Sequence, residues 1–252
     1  MVVALSLAVL IGLSLGLMGG GGSILTVPIL VYVLDYSAKN SIALSLAIVG
    51  VTSLFGSIAH FRNKNINFKV AGVFGPIAML GTFLGTKISV YLSGSTQLII
   101  FAVVMIIASY FMFKGRKNIE TSEDTEVQFK FATILVVGTF VGILTGIVGV
   151  GGGFMIVPAL VLLANIEMKQ AIGTSLIIIS LNSFTGFIGY LGKITVDWTF
   201  LVQFSAFATI GIFIGSALVK YISQEKLKKL FAIFLVVMGV FILYKNHAVF
   251  IS

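Results

Sequence analysis

Two ten-residue segments hold the residues whose types and spacing could do chemistry: Gly19-Gly20-Gly21-Gly22-Ser23-Ile24-Leu25-Thr26-Val27-Pro28 and Gly149-Val150-Gly151-Gly152-Gly153-Phe154-Met155-Ile156-Val157-Pro158. Adjacent glycines carry a high backbone-entropy cost and do not stay helical, so each run breaks any helix that leads into it. The aliphatic stretch that follows can restart a helix. Its first turn then presents unbonded N–H groups and the positive end of a helix dipole at the break. An anion is the ligand such an end accepts. Gly19, Gly20, Gly21, Gly22 and Ser23 form one candidate half-site, and Gly149, Gly151, Gly152 and Gly153 the other. Pro28 and Pro158 are the structural prolines of the two half-helices, and Val150 stands where the first copy has Gly20.

Neutral polar side chains follow each half-helix: Ser45, Thr52, Ser53, Ser57 and His60 in the first copy, and Ser175, Ser180, Asn182, Ser183, Thr185 and Tyr190 in the second. At helical spacing Ser45 and Thr52 share a sector with Ser53, and Ser175 and Asn182 share one with Ser183. Each set could face a single cavity and complete the shell of an oxyanion. The competing expectation for any one hydroxyl is a bond to its own preceding turn or to a neighbouring helix. His60 is expected at a membrane boundary beside Arg62, and Lys87 about a turn from a helix end, from which it can snorkel. Asp35 and Asp197 also fall at boundaries, so no buried carboxylate marks a proton carrier, and a coupling ion, H+ or Na+, is not legible.

The elements that must position these groups are transmembrane helices. A chain of 252 residues that is 58% hydrophobic and only 10% charged cannot bury its apolar surface in a water-soluble core. Apolar stretches long enough for a ~30 Å hydrocarbon core recur at Ala4 to Met18, Ser41 to Ala59, Val70 to Leu92, Leu98 to Phe113, Phe129 to Val148, Ala171 to Leu191, Trp198 to Val219 and Leu230 to Tyr244. The alternating ten-residue segments of a β-barrel are missing. The apolar N-terminus lacks a basic leader and its pattern returns at Phe131 to Val148, which reads as structure and not as a secretory signal. Without cysteine there is no disulfide or thiol chemistry. The net charge of +8 is explained by lysines and arginines flanking membrane spans, with no need of nucleic acid. The sequence has no His/Asp/Glu cluster at metal-ligand spacing and no P-loop, so it reads as neither an enzyme nor a nucleotide-driven pump, and no cofactor is expected.

Displacing the sequence by 130 residues superimposes Gly12, Gly16, Gly19, Gly21, Gly22, Val27, Pro28 and Leu30 on Gly142, Gly146, Gly149, Gly151, Gly152, Val157, Pro158 and Leu160. The register continues without a gap through Ser45/Ser175, Gly56/Gly186, Gly85/Gly215 and Phe101/Phe231. The chain is a duplication: a first helical repeat over residues 1–114, a polar linker at 115–130 and a second repeat over 131–252. Four ordinary spans per half would make the halves parallel and divide the 16 basic residues nine against seven. A re-entrant or discontinuous Gly-broken pair followed by three spans makes the halves inverted. One side then collects Arg62, Lys64, Lys69, Lys114, Arg116, Lys117, Lys130, Lys169, Lys220, Lys226, Lys228 and Lys229, leaving Lys39, Lys87, Lys193 and Lys245 opposite. Twelve against four is the positive-inside bias. The expectation is therefore an all-α polytopic membrane protein of two inverted repeats, multi-pass in the cell membrane, with both termini outside and the linker in the cytoplasm.

The two segments Gly19 to Leu30 and Gly149 to Leu160, each a glycine cluster, an aliphatic stretch and Val-Pro, together with the length and the duplication, resemble the TauE/SafE family of membrane transporters. The resemblance implies a carrier of small anions, often sulfur-containing ones such as sulfite or organosulfonates. Besides the bilayer, the partners it implies are that anion and a coupling ion, with no nucleic acid. The leading expectation is secondary transport of a small oxyanion or sulfonate by alternating access. An anion channel using the same donors and a non-transporting membrane scaffold are the alternatives.

Overall fold

The computed structural model describes residues 2–114, 131–148, 153–162, 166–192 and 194–246. Ten helices follow in order: α1 (Val2–Met18), α2 (Gly21–Tyr32), α3 (Ala38–Arg62), α4 (Phe68–Ser89), α5 (Gly94–Lys114), α6 (Phe131–Val148), α7 (Gly153–Leu162), α8 (Met168–Tyr190), α9 (Trp198–Val219) and α10 (Gln224–Lys245). The 115–130 linker expected from the sequence, and Gly149, Gly151 and Gly152 of the second glycine run, lie outside the described residues.

The duplication is visible in how the helices begin. Asn67 caps α4 by accepting from Val70 N, and its repeat mate Asp197 caps α9 by accepting from Phe200 N. Ser93 and its mate Ser223 cap α5 and α10 in the same way. These short side chains accept the N–H groups that a first turn leaves unbonded, which is why the chain turns into a helix there. Even the link from the short helix to the next repeats, with Tyr36 N on Leu30 O and Ile166 N on Leu160 O.

Six helices, α3, α4, α5, α8, α9 and α10, are long and apolar enough to cross a bilayer. Of these, α3 and α8 are central, with 72% of their apolar window buried, against 33% to 44% for the other four. The short helices are too short to span: at ~1.5 Å per residue, α2 and α7 reach about half of a ~30 Å core. They are nevertheless enclosed, α2 with nine buried residues of twelve and α7 with nine of ten. Phe101 of α5 and Phe154 of α7 meet edge-on with ring centroids 5.1 Å apart, both fully buried.

Glycine sets the helix pairing. A Cβ on Gly12 or Gly16 would collide with the backbone of α9 at Ala208, Ile212 and Ser216, and one on Gly211 or Gly215 with α1 at Val9 and Leu13. Numbers rise together along this pair, so α1 and α9 run parallel. The equivalent pair, α4 and α6, meets in the same way through Gly81 and Gly85 on one side and Gly142 and Gly146 on the other. Each half thus seats its first helix on the fourth element of the other half. In the central pair Leu46 meets Gly186, Gly50 meets Ser183, and Gly56 meets Leu176. One number rises as the other falls, so α3 and its repeat mate α8 run antiparallel.

That arrangement sorts the charges by end. The last turn of α3, the start of α4, the end of α5, the start of α8, the end of α9 and the start of α10 share one end of the bundle. The end carries Arg62, Lys64, Lys69, Lys114, Lys169, Lys220, Lys226, Lys228 and Lys229, nine of the described basic residues, while Lys39, Lys87 and Lys245 make three at the other. Lys87 lies in the last turn of α4 with its Nζ 4.7 Å from the centre of the Phe83 ring.

The glycine contacts make a direct stability prediction. Gly85→Ala puts a methyl into the Ile143 carbonyl, whereas Gly72→Ala meets nothing within 4 Å. Thermal unfolding in detergent should show a clear drop in melting temperature for Gly85→Ala. For Gly72→Ala it should show no loss, since alanine is the better helix former by about 1 kcal/mol.

Candidate functional site

The first glycine break is confined to Gly19 and Gly20; Gly21 and Gly22, expected from the sequence to belong to it, are the first residues of α2. Gly19 has φ +66°, a left-handed conformation that side chains rarely adopt, and Gly20 is the N-cap of α2 with no side-chain cap. The chain then folds back, and the first turn of α2, at Gly21 and Gly22, lies against Ile11, Ser14, Leu15 and Met18 of α1. The N–H groups of that turn have no intrahelical partner. The break is also where the two halves meet. A Cβ on Gly153, the first residue of α7, would lie 2.7 Å from Gly20 Cα and 2.6 Å from Ile179 Cδ1 of α8. One on Gly19 would lie 2.6 Å from Ser175 Oγ and 3.2 Å from Ile172 Cα. Both half-helix starts, with their dipoles, therefore converge on one face of α8, and only glycine lets the backbones approach so closely.

The polar residues expected at the site divide into two groups. Ser23 Oγ donates to Gly20 O at 2.6 Å, Ser45 Oγ to Ile42 O and Ser175 Oγ to Ile172 O at 2.8 Å, and Thr52 Oγ1 to Ile48 O at 2.7 Å. These hydroxyls direct their hydrogens to their own helix, so in this arrangement they offer oxygen lone pairs and not donors. Asn182 is different. It is 0% exposed, and neither Nδ2 nor Oδ1 has a partner. It lies three residues along α8 from Ile179, the side chain that reaches Gly153, and so on the same helical face. Ser53 and Ser183 are likewise buried with unpartnered hydroxyls. Pro28 and Pro158 sit inside α2 and α7, both buried.

Three features were not read from the sequence. His60, expected at a boundary, is fully buried, and its Nε2 donates to Gly16 O at 3.2 Å in the last turns of α1. It does stand in the last turn of α3 beside Arg62, and what the sequence did not show is that α1 covers it there. Gln97 Nε2 donates to Ile147 O at 2.8 Å, doing for the end of α6 what His60 does for α1. Tyr190 and Ser89 join it, with Tyr190 OH 2.7 Å from Ser89 Oγ. Ser180 Oγ donates to Gly50 O at 3.0 Å across the central pair. A lone polar residue inside an apolar stretch was the available signal for each, but the acceptors lie 44, 50 and 130 residues away.

A centre of this kind, with dipoles and a free amide but no full charge on any of its named groups, suits a small solute that crosses a membrane. The family model described as sulfite exporter TauE/SafE matches residues 4–242. The chain belongs to that family. Several relatives carry the name "probable membrane transporter protein". One from Xylella fastidiosa (strain 9a5c) is 29% identical, with 95% of this chain and 93% of the relative covered. One from Methanocaldococcus jannaschii, MJ0441, is 27% identical over 95% of each chain. YdhB from Bacillus subtilis (strain 168) is 27% identical over 90% of this chain and 92% of its own. No solved structure matches the chain. As a TauE/SafE member the protein is a multi-pass membrane transporter.

Two substitutions separate the free amide from the bonded one. Asn182→Leu removes a buried polar group without partners and keeps the same branching and number of heavy atoms, so the melting temperature should hold or rise. Gln97→Leu strands the Ile147 carbonyl and should cost about 1–3 kcal/mol. A melting temperature that falls equally in both would mean that Asn182 has a structural partner.

Proposed function

We propose that this TauE/SafE transporter is a secondary carrier of a small oxyanion or sulfonate, bound between the two glycine breaks. The observation that carries the reading is the close approach of Gly20 and Gly153, which brings two half-helix starts together beside the buried, unpartnered Asn182. N–H groups and helix dipoles favour an anion without a fixed cation holding it too tightly to release. Gly19 and Gly20 supply the first break, and Gly21, Gly22, Ser23 and Gly153 the half-helix starts. Gly149, Gly151 and Gly152 complete the second copy by sequence equivalence. The Asn182 amide gives a side-chain donor, and Ser45, Thr52 and Ser175 line the approach. Sulfite or a simple sulfonate is the substrate class the family description favours.

Inverted repeats fit alternating access, because exchanging the conformations of two antiparallel halves turns an opening on one face into an opening on the other. The antiparallel run of α3 past α8, and the seating of each half's first helix on the other half, support that symmetry. The nine-to-three division of described basic residues supports a cytoplasmic basic end, a cytoplasmic linker at 115–130 and termini on the outside of a cell membrane. Accumulation against a gradient requires a coupling ion, and collapsing H+ and Na+ gradients separately in the same vesicles distinguishes the two.

Flux of radiolabelled sulfite and of methanesulfonate into proteoliposomes tests the substrate class. Saturable flux is expected, and Asn182→Leu should lower the apparent kcat/KM roughly 10- to 100-fold, the worth of one hydrogen bond to a charged group. Non-saturating flux would make the protein a channel, and no flux of either anion would overturn the class. Orientation is tested separately, and the cysteine-free chain suits single-cysteine labelling. In intact cells an impermeant maleimide should modify Lys39→Cys and spare Lys64→Cys; the reverse pattern would refute the proposed orientation.

A further inference from the structure

On the outer side of the α3–α9 pair, near the basic end, a cavity of about 260 Å³ remains that the glycine breaks do not account for. From α3 it is lined by Ile58, Ala59 and Arg62, and from α9 by Phe213, Ser216 and Lys220. This spacing places each set on one helical face. His60, turned to Gly16, belongs to another face of α3.

The lining changes character along the cavity. Ile58 and Phe213 are 45% and 44% exposed on the hydrocarbon-facing surface. Arg62 and Lys220 stand in the terminal turns, where such a surface reaches the headgroups. Among the described residues the single ion pair is Lys229 with Glu225, so neither cation is paired to a described carboxylate; the Lys220 ammonium rests 5.0 Å over the Tyr221 ring. Ser216 lines the cavity but is only 1% exposed, its hydroxyl closed off from the groove. An occupant must therefore be anionic at one end and apolar where it meets Ile58 and Phe213. A free oxyanion has no use for the apolar wall, and a neutral lipid has no use for two cations.

We infer that this groove holds the phosphate of an anionic phospholipid, with Arg62 and Lys220 binding the headgroup and an acyl chain lying along Ile58 and Phe213. Basic pockets between transmembrane helices bind anionic headgroups in this way. The inference does not depend on what the protein carries. The site would make the α3–α9 pairing, and so the seat of α1, sensitive to lipid charge.

The full chain is reconstituted in mixed vesicles of phosphatidylglycerol and phosphatidylcholine, released in mild detergent and read by native mass spectrometry. Phosphatidylglycerol should remain bound in preference to phosphatidylcholine, and Arg62→Gln with Lys220→Gln should lower its occupancy roughly tenfold. Ala217→Trp fills the groove from an exposed position and keeps both charges. It should exclude the lipid while leaving the melting temperature in phosphatidylcholine alone unchanged, and it decides the matter if the double variant does not fold. Equal lipid retention in the native chain and either folded variant would overturn the inference. So would displacement of the lipid by inorganic phosphate or sulfite at millimolar concentration, which would make the groove a vestibule for soluble anions.

Discussion

A hydrocarbon interior offers no water to a broken helix, so every N–H and C=O released at a break must find a protein group or a ligand. The rest of the molecule follows from that constraint. Two glycine runs interrupt the chain at equivalent points, and the breaks are tolerated because α2 and α7 are enclosed between α3 and α8 on one side and α5 and α10 on the other. The carbonyls at the broken ends of α1 and α6 accept from His60 and Gln97, which lie on longer helices. At the opposite pole, the starts of the half-helices, the two backbones come into close contact at Gly20 and Gly153.

The same residue type does a second task along α1, α4, α6 and α9. There the glycines bring backbones together without side chains between them, which secures close dispersion contact where the hydrophobic effect supplies no force between helices. Because α1 sits on α9 and α6 on α4, neither half can complete its packing alone. The halves are joined by close-packed glycine faces and by side-chain bonds that include Ser180 to Gly50, Gln97 to Ile147, Asn67 N to Thr174 and Tyr190 to Ser89.

Charge is placed with equal economy. The centre holds dipoles and one free amide, and the cations crowd one end. The cations at the end, with the apolar groove beside them, form the surface proposed to hold anionic lipid.

Much of this could be read from the residues alone, for physical reasons. Composition required lipid as the solvent. The 130-residue offset revealed the duplication, because Pro and Gly do not recur in register by chance, and approximate helix limits followed from the apolar runs. The glycine runs marked the breaks, since consecutive glycines carry the largest backbone-entropy cost, although Gly21 and Gly22 proved to be the first helical residues of α2. Hydroxyl direction and the burial of single polar groups could not be read, because they depend on partners distant in sequence. Ser45, Thr52 and Ser175 were equally eligible as ligand donors or as back-bonded hydroxyls, and the fold placed their hydrogens on their own helices. The burial of His60 at its helix end became visible only when α1 was laid beside α3, and Asn182, like Ser53 and Ser183, proved to be buried without a partner only once the neighbouring helices were in place. Local backbone chemistry was settled by residue type; the fate of each polar side chain was settled by which helix came to lie against it.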